Sequence, residues 1–434
     1  MDARRFVTPR AAWILSVLLL AVLTLAPLEV IAQSPFVVPE PSAAARDWSR
    51  HRDLLWLVEQ ALAVGLAALL LFSRRGAELR TRLDRITGGR RLLTATLFAG
   101  VYAALAIVVN LPVSATRQML AEPLGLAAPG WGMWAAARAG GAWPLLAGSF
   151  LLGWAPYLLF SRSPRLWPIW AGALMITVAA AALITQPARH DLRPVTDLKL
   201  KQEISRLAVR AGAPDVRFAI RRADRDEPCG GATVLGLGPT KVLALDSALL
   251  RHHSRREVAQ TIAHELKHYT RNDDRQGLYV AVALVVGGLT VLFFASAFAL
   301  RRGARRFGFD QLSDPASLPL VVLILTVFAL AGSAAFHGYG RHIEQEADRF
   351  GLELTHDNVA QAVQMQRYLS CSRLKDPDVS WIQQTFQRNH PSIRARIGFA
   401  RDYRPWVTGE RQVYGHRFRG APQGEQAAFL PDAP

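Results

Sequence analysis

His264, Glu265 and His268 fall in the run Ile262-Ala263-His264-Glu265-Leu266-Lys267-His268-Tyr269, an H-E-x-x-H array. On a helix, positions i and i+4 share a face, so both imidazoles can reach one metal ion while the carboxylate of Glu265 lies beside it. Two imidazoles on zinc, with a neighbouring carboxylate as general base, are the equipment for hydrolysing a peptide bond. A catalytic zinc takes three protein ligands and keeps one position for water, so a third ligand is needed. Glu344, in Glu344-Gln345-Glu346-Ala347-Asp348, is the first choice, because Asp348 one turn later can hold a ligating imidazole in orientation. His342 and Glu346 compete for the same role and stay open at this point.

The elements that must position these residues are legible around them. Ser254 followed three residues later by Glu257 is a capping box, and Val258, Ile262 and Leu266 form an apolar stripe, so the array sits on a helix with His264 and His268 on one face. Arg341 to His356 reads as a second helix, with Ile343, Ala347 and Phe350 apolar and Glu344 and Asp348 on another face. Upstream, Thr196 and Asp197 open a helix through Leu200, Ile204, Leu207 and Ala211 that stops at Gly212. Val216, Phe218 and Ile220 alternate with polar neighbours, and 232–237 and 241–245 flank a Gly238-Pro239 turn, which predicts a small strand cluster before the metal helix.

The rest of the chain is a membrane protein. Of 434 residues 51% are apolar, and they concentrate in seven segments near the roughly 20 residues needed to span a bilayer: 11–32, 54–72, 92–111, 143–160, 166–184, 278–300 and 318–336. Trp131, Trp134, Trp143, Trp167 and Trp170 lie near span ends, as an interfacial belt requires. The first segment follows Arg4, Arg5 and Arg10 and ends at Val30-Ile31-Ala32, so it reads either as a span or as a cleaved signal peptide. Glu59 interrupts one span near its end and is expected to snorkel to the interface.

The division that follows places a membrane domain of about five spans in 1–187, catalytic parts in 188–275 and 338–403, a membrane hairpin between them in 276–337, and a flexible tail in 404–434. Arginines set the orientation. Segment 73–91 holds seven, 161–165 two, 301–309 four and the N-terminal arm three, whereas the opposite loops 33–53 and 112–142 hold three and two. Positive-inside logic puts the first set in the cytoplasm and the polar region outside. The net charge of +17 does not indicate a nucleic-acid partner, because much of the arginine excess lies in these loops.

With those motifs assembled, the chain resembles the integral-membrane zinc metalloproteases of the type 1 CAAX prenyl protease and HtpX kind. The resemblance rests on His264-Glu265-Leu266-Lys267-His268, on Glu344-x-x-Ala347-Asp348, and on His390-Pro391 followed by Arg396. It covers about 193–401, and five spans before that region with two inside it match the prenyl-protease topology better than the smaller HtpX arrangement. It implies a mainly α, polytopic membrane protein with a small α+β zincin-like domain split by the hairpin. By position it also implies one zinc held by His264, His268 and Glu344, with Glu265 as general base and Asp348 orienting a ligand. His390 and Arg396 would stabilise the oxyanion or position substrate, and the strand with Ala232, Thr233, Val234 and Leu235 would pair with an extended peptide.

The resulting expectation is a metalloendopeptidase of a bacterial inner membrane, cutting membrane-associated or exported proteins and peptides. Eukaryotic prenyl proteases are expected to face the cytosol, so the outward orientation read from the loop charges departs from them. The rival from another class is a membrane scaffold or transporter with a structural zinc, which would have no need of Glu265 beside its ligands. Two histidines before the metal helix, His252 and His253, read as surface residues. Cys229 and Cys371 are the only cysteines, and the balance of expectation is slightly against a disulfide. Oligomeric state is not legible.

Overall fold

The computed structural model describes residues 34–127, 129–222 and 229–419. Its membrane part contains α1 (Ala43–Phe72), the short α2 (Arg75–Thr87), α3 (Arg91–Ala121), α4 (Gly130–Leu152), α5 (Ala155–Arg162) and α6 (Trp167–Ile184). After the first polar stretch, α10 (Asp273–Phe307) and α11 (Leu318–Thr355) form the hairpin. Six helices in the described residues are long and apolar enough to cross a membrane, with α4 and α5 counting as one crossing. These correspond to six of the seven expected spans; the first, 11–32, lies outside the described residues. The third crossing begins at Gly130 rather than near Trp143, so Trp131 and Trp134 sit on α4 itself, edge to face with ring centroids 5.4 Å apart. Glu59 on α1 does not rely on snorkelling alone: its carboxylate meets Arg117 of α3 at 2.8 Å.

Loops collect at two ends of the bundle. At one end Arg80 of α2 pairs with Asp314 at 3.1 Å and donates to the Gly308 carbonyl, while Tyr157 donates to the Pro315 carbonyl. At the other end the polar domain is braced by the chain before α1. Gln366 donates to the carbonyls of Pro35 and Val37, at 2.8 and 2.9 Å, and Phe36 and Val38 pack against Met365, Ile397 and Ala400. The arginine-rich loops therefore lie opposite the polar domain, and the arginine-poor ones lie with it.

In the polar domain, α7 (Leu198–Arg210) precedes a four-stranded sheet of β1 (Leu192–Arg193), β2 (Phe218–Arg221), β3 (Ala232–Leu235) and β4 (Val242–Asp246), in the order β1-β2-β4-β3. β2 and β4 run parallel, and β3 and β4 form the antiparallel pair around the Gly238-Pro239 turn that the sequence predicts. A short helix, α8 (Ser247–His252), leads to the metal helix α9 (Arg255–Arg271). Asp197 caps α7 as expected, accepting from the amides of Lys199 and Leu200. The Ser254–Glu257 capping box opens α9, each side chain bonding the other's backbone amide. Leu243 and Leu245 of β4, Ile204 and Leu207 of α7, Val258, Ile262 and Leu266 of α9, and Phe350 and Leu354 of α11 close one apolar core. Burial of this stripe binds the two polar stretches together across the hairpin.

Two helix boundaries differ from expectation. The last span and the helix carrying Glu344 are not separate: α11 runs unbroken for 38 residues. No proline interrupts it after Pro319, and Gly338 and Gly340 cost a long, packed helix little. By contrast α9 and α10 are split by the single residue Asn272, whose φ of 54° and ψ of 46° lie in the left-handed region that Asn tolerates better than most. Buried Lys241 fixes this corner, donating to the Tyr269 carbonyl, Asn272 Oδ1 and Asp274 Oδ1 at 2.9, 3.2 and 2.8 Å.

Three further expectations are corrected. The chain beyond Arg404 is not a loose tail up to residue 419. Glu353, with no exposed surface, accepts from the amides of Val413 and Tyr414 at 2.8 and 2.6 Å, and Tyr414 packs on Phe350. A buried carboxylate needs donors, and this segment supplies them. Residues 420–434 lie outside the described residues. Cys229 and Cys371, at the end of α12 (Asn358–Cys371), form a disulfide with a Cα–Cα distance of 6.2 Å across 142 residues of sequence. Packing of α12 against α9 brings the two together, a contact no local pattern announces. His253 is buried rather than on the surface, bridging Glu257 at 2.9 Å and the Cys229 carbonyl at 3.0 Å.

Glu257 is the hub of this corner. Burial works against its charge, but hydrogen bonds from His253, Arg367 and Ser254 outweigh that and hold its pKa down to about 2. Its side chain is 3% exposed, so the depressed pKa is a stability term on the order of 3 kcal/mol. A lowered folded-state pKa contributes above the unfolded value near 4.5 and is lost as pH falls towards 2. Thermal unfolding of the detergent-solubilised protein between pH 6 and 3 should therefore show the wild type losing more stability than Glu257→Gln; parallel curves would contradict this account.

Candidate metal centre

His264 and His268 lie one turn apart on α9 and face α11. Their Nε2 atoms are 3.3 Å apart, and the Glu344 carboxylate is 3.3 Å from His264 Nε2 and 3.7 Å from His268 Nε2. One ligand atom from each of the three lies within 4.8 Å of the others. The two competitors for the third position point elsewhere. Glu346 bonds Arg349 and the Tyr414 hydroxyl, and His342 lines a neighbouring cavity with Arg341 and Gln384.

Each imidazole is held from behind. His264 Nδ1 meets Asp348 Oδ1 at 3.0 Å, as the i, i+4 spacing on α11 anticipates. His268 Nδ1 meets Asp273 Oδ2 at 2.7 Å. Asp273 is a residue that sequence reasoning passed over. It stands directly after the left-handed Asn272, so the corner between α9 and α10 is what turns its carboxylate back onto the metal helix. The signal was the Asn272-Asp273-Asp274 breaker cluster one turn past His268. Lys267 locks the arrangement from beside the imidazoles, donating to Asp273 at 2.7 Å and to the Ile343 carbonyl of α11 at 3.1 Å.

Asp348 is in turn gripped by Arg396 of α14 (Ile393–Asp402), through Nε at 2.8 Å and Nη2 at 2.5 Å. That guanidinium is committed to the carboxylate, and it also lines the cavity that opens on the cluster. His390 is different: its side chain is 52% exposed and its Nε2 lies 3.2 Å from Glu344 Oε2. Gly340 makes room for it, since a Cβ there would stand 2.8 Å from Asn389 Cβ, so the loop bearing His390 rests directly on α11.

The electrostatics of the cluster are those of a cation site. Burial disfavours charge on His264, yet the carboxylates of Asp348 and Glu344 beside it raise its pKa to about 10. Burial likewise opposes ionisation of Glu344, Asp348 and Asp273, and each is nevertheless held below the usual carboxylate range by the imidazoles and, for Asp348 and Asp273, by Arg396 and Lys267. The Glu344 Oε2 atom is buried and has no well-formed hydrogen bond. Three anionic groups around two imidazoles, with an acceptor left over at the centre, fit a divalent cation. Glu265, beside the cluster and not part of it, is pushed up in pKa by burial above all.

β3 borders this centre. It pairs with β4 alone, so its other edge is free among the described residues, and the Val234 amide hydrogen-bonds to Glu265. Gly231 and Ala232 share a cavity with His264, Glu265, Glu344 and Asp348. The four positions Ala232, Thr233, Val234 and Leu235 thus form one strand edge, half-buried and at Leu235 buried, that runs past Glu265.

Known proteins resemble this chain in sequence and in fold. Residues 194–404 match Peptidase family M48. Over 373 residues the chain is 24% identical to the "Uncharacterized metalloprotease YhfN" of Bacillus subtilis, covering 84% of this chain and 86% of that one. It is 27% identical over 230 residues to a "Protease HtpX homolog" of the same organism, covering 49% of this chain and 72% of the relative. The crystal structure of S. mikatae Ste24p superposes with a TM-score of 0.62 at 16% identity, over 86% of this chain and 94% of that one, a likeness of fold. With the metal-binding constellation lying inside the region that matches Peptidase family M48, the chain is a multi-pass membrane metalloprotease resembling that family and the CAAX prenyl protease and HtpX kind.

Proposed function

We propose that the resident metal is a single zinc ion held by His264, His268 and Glu344, and that the enzyme cuts peptide bonds of proteins and peptides presented at the membrane surface. The observation that carries this reading is the convergence of those three ligand atoms within 4.8 Å, with a carboxylate behind each imidazole. Two imidazoles and one carboxylate with an open side are a donor set suited to catalytic zinc. When bound, the metal supplies Lewis acidity that polarises the scissile carbonyl and acidifies water.

The chain's own groups do the rest. An extended substrate adds to the free edge of β3, where main-chain hydrogen bonds hold it whatever its sequence. Glu265, raised in pKa by burial, takes a proton from the attacking water and delivers it to the leaving amine. His390, exposed beside Glu344, is placed to donate to the oxygen that gains charge. Arg396 acts one step removed, by holding Asp348 and through it the tautomer and angle of His264. A structural zinc in a scaffold or transporter would leave Glu265 without a purpose.

The catalytic side is proposed to be extracytoplasmic. Two independent features support this: the arginine-rich loops 73–91, 161–165 and 301–309 lie opposite the polar domain, and that domain carries a disulfide, which persists in oxidising compartments. Substrates are then exported peptides and the outward parts of membrane proteins.

Three outcomes are expected. Glu265→Ala should lose about a hundredfold to ten-thousandfold in casein or peptide cleavage while keeping its zinc by elemental analysis; equal cleavage by the variant would sink the mechanism. Asp273→Asn should weaken zinc binding about tenfold to a hundredfold in chelator competition, with helicity unchanged. An alkaline phosphatase fused after Pro434 should be active and a cytoplasmic reporter at the same point silent; the reverse pattern would overturn the orientation.

A further inference from the structure

The cavity that opens on the metal cluster extends away from it, about 280 Å³ in all, and its far wall is polar and uncharged. Gln260 and Thr261 of α9 face Gln361, Gln364 and Tyr368 of α12, with Met365 between them. Three of these amides are almost wholly buried: Gln361 is 1% exposed, Gln260 2% and Gln364 4%. Burying so many hydrogen-bonding groups is costly unless they are paired, so their pairing is informative.

Most of it closes. Thr355 donates to Gln260 Oε1 at 2.6 Å, and Gln260 Nε2 donates to Gln361 Oε1 at 2.9 Å. Gln364 Nε2 donates to the Thr261 hydroxyl and, at 3.2 Å, to the Tyr368 hydroxyl. The chain of bonds stops at Gln361, whose Nε2 has no partner among the described residues. Gln361 lines the same cavity as His264, so the unfinished end of the network belongs to the space that opens on the metal cluster rather than to a remote core.

We infer that this recess is a substrate side-chain subsite, and that it selects a residue with an uncharged hydrogen-bonding side chain, Asn or Gln above all, directly flanking the scissile bond. The inference rests on the peptidase reading above and adds its specificity. An amide side chain supplies both a donor and an acceptor and completes the network at Gln361. A Leu or Phe in the same place leaves the Gln361 amide buried and unpaired, and sites built to hydrogen-bond a substrate group reject analogues lacking it far more strongly than apolar pockets discriminate by size. The one guanidinium lining this cavity, Arg396, is already paired with Asp348, so an acidic side chain finds no free cation there.

The test uses the full-length enzyme in detergent with zinc bound, and reads every cleavage site in a peptide library by mass spectrometry. The wild type should show Asn or Gln enriched at one flanking position, with kcat/KM about tenfold to a hundredfold above the matched Leu peptide. Gln361→Leu should reverse that ratio at the same position and leave the others alone, with zinc content unchanged. Should that variant fold poorly, the isosteric Gln361→Glu should instead gain cleavage beside Lys or Arg. A wild type that favours aliphatic residues at both flanking positions, or a profile untouched by either folded variant, overturns the subsite. Absence of any cleavage that depends on Glu265 overturns the peptidase reading itself, and the subsite with it.

Discussion

The carboxylate of Asp348 is the point on which the site hangs. It is buried, and three segments meet at it: α11 supplies it, His264 of α9 reaches it at 3.0 Å, and Arg396 of α14 clamps it from behind. A buried charge of this kind is tolerable only when its partners are close and well aimed, so the same contact that orients His264 also forces α14 to dock. Removing either partner leaves an uncompensated charge next to the metal ligands. The helix pair α9 and α11 is thereby held at the spacing that lets Glu344 close on two imidazoles, although 75 residues and two spans separate Glu344 from His268.

That dependence explains which parts of the site were legible in the sequence. His264, Glu265 and His268 announce themselves because helical periodicity fixes their mutual geometry within one turn. Glu344 and Asp348 are legible for the same reason, as an i, i+4 pair on a helix with an apolar face. The caps at Asp197 and at Ser254 with Glu257, the β3–β4 turn and six of the seven apolar segments are likewise local patterns, and the structure has each of them, although the third crossing starts earlier, at Gly130.

What stayed hidden depends on contacts between distant segments. Asp273 reaches His268 only because Asn272 adopts a left-handed conformation, and nothing in the residue types says which way the corner turns. The Cys229–Cys371 bond and the burial of His253 follow from α12 lying against α9. The order of 404–419 follows from Glu353, a charged residue in a core that recruits backbone donors from a segment whose composition reads as solvent-exposed. The continuity of α11 is a different case. Apolar and polar stretches of one helix look like two elements when the period is read within each environment separately.

The unbroken α11 also works as a ruler. From Leu318 to Glu344 the helix advances about 39 Å at 1.5 Å per residue. A bilayer's hydrocarbon core takes up about 30 Å of that length. Along the helix, Glu344 therefore lies about 9 Å further from Leu318 than such a layer is thick. One continuous rod thus ties the bilayer-spanning stretch to the metal cluster, so on the proposed function a strand emerging from the membrane along α11 has only a short way to travel to it.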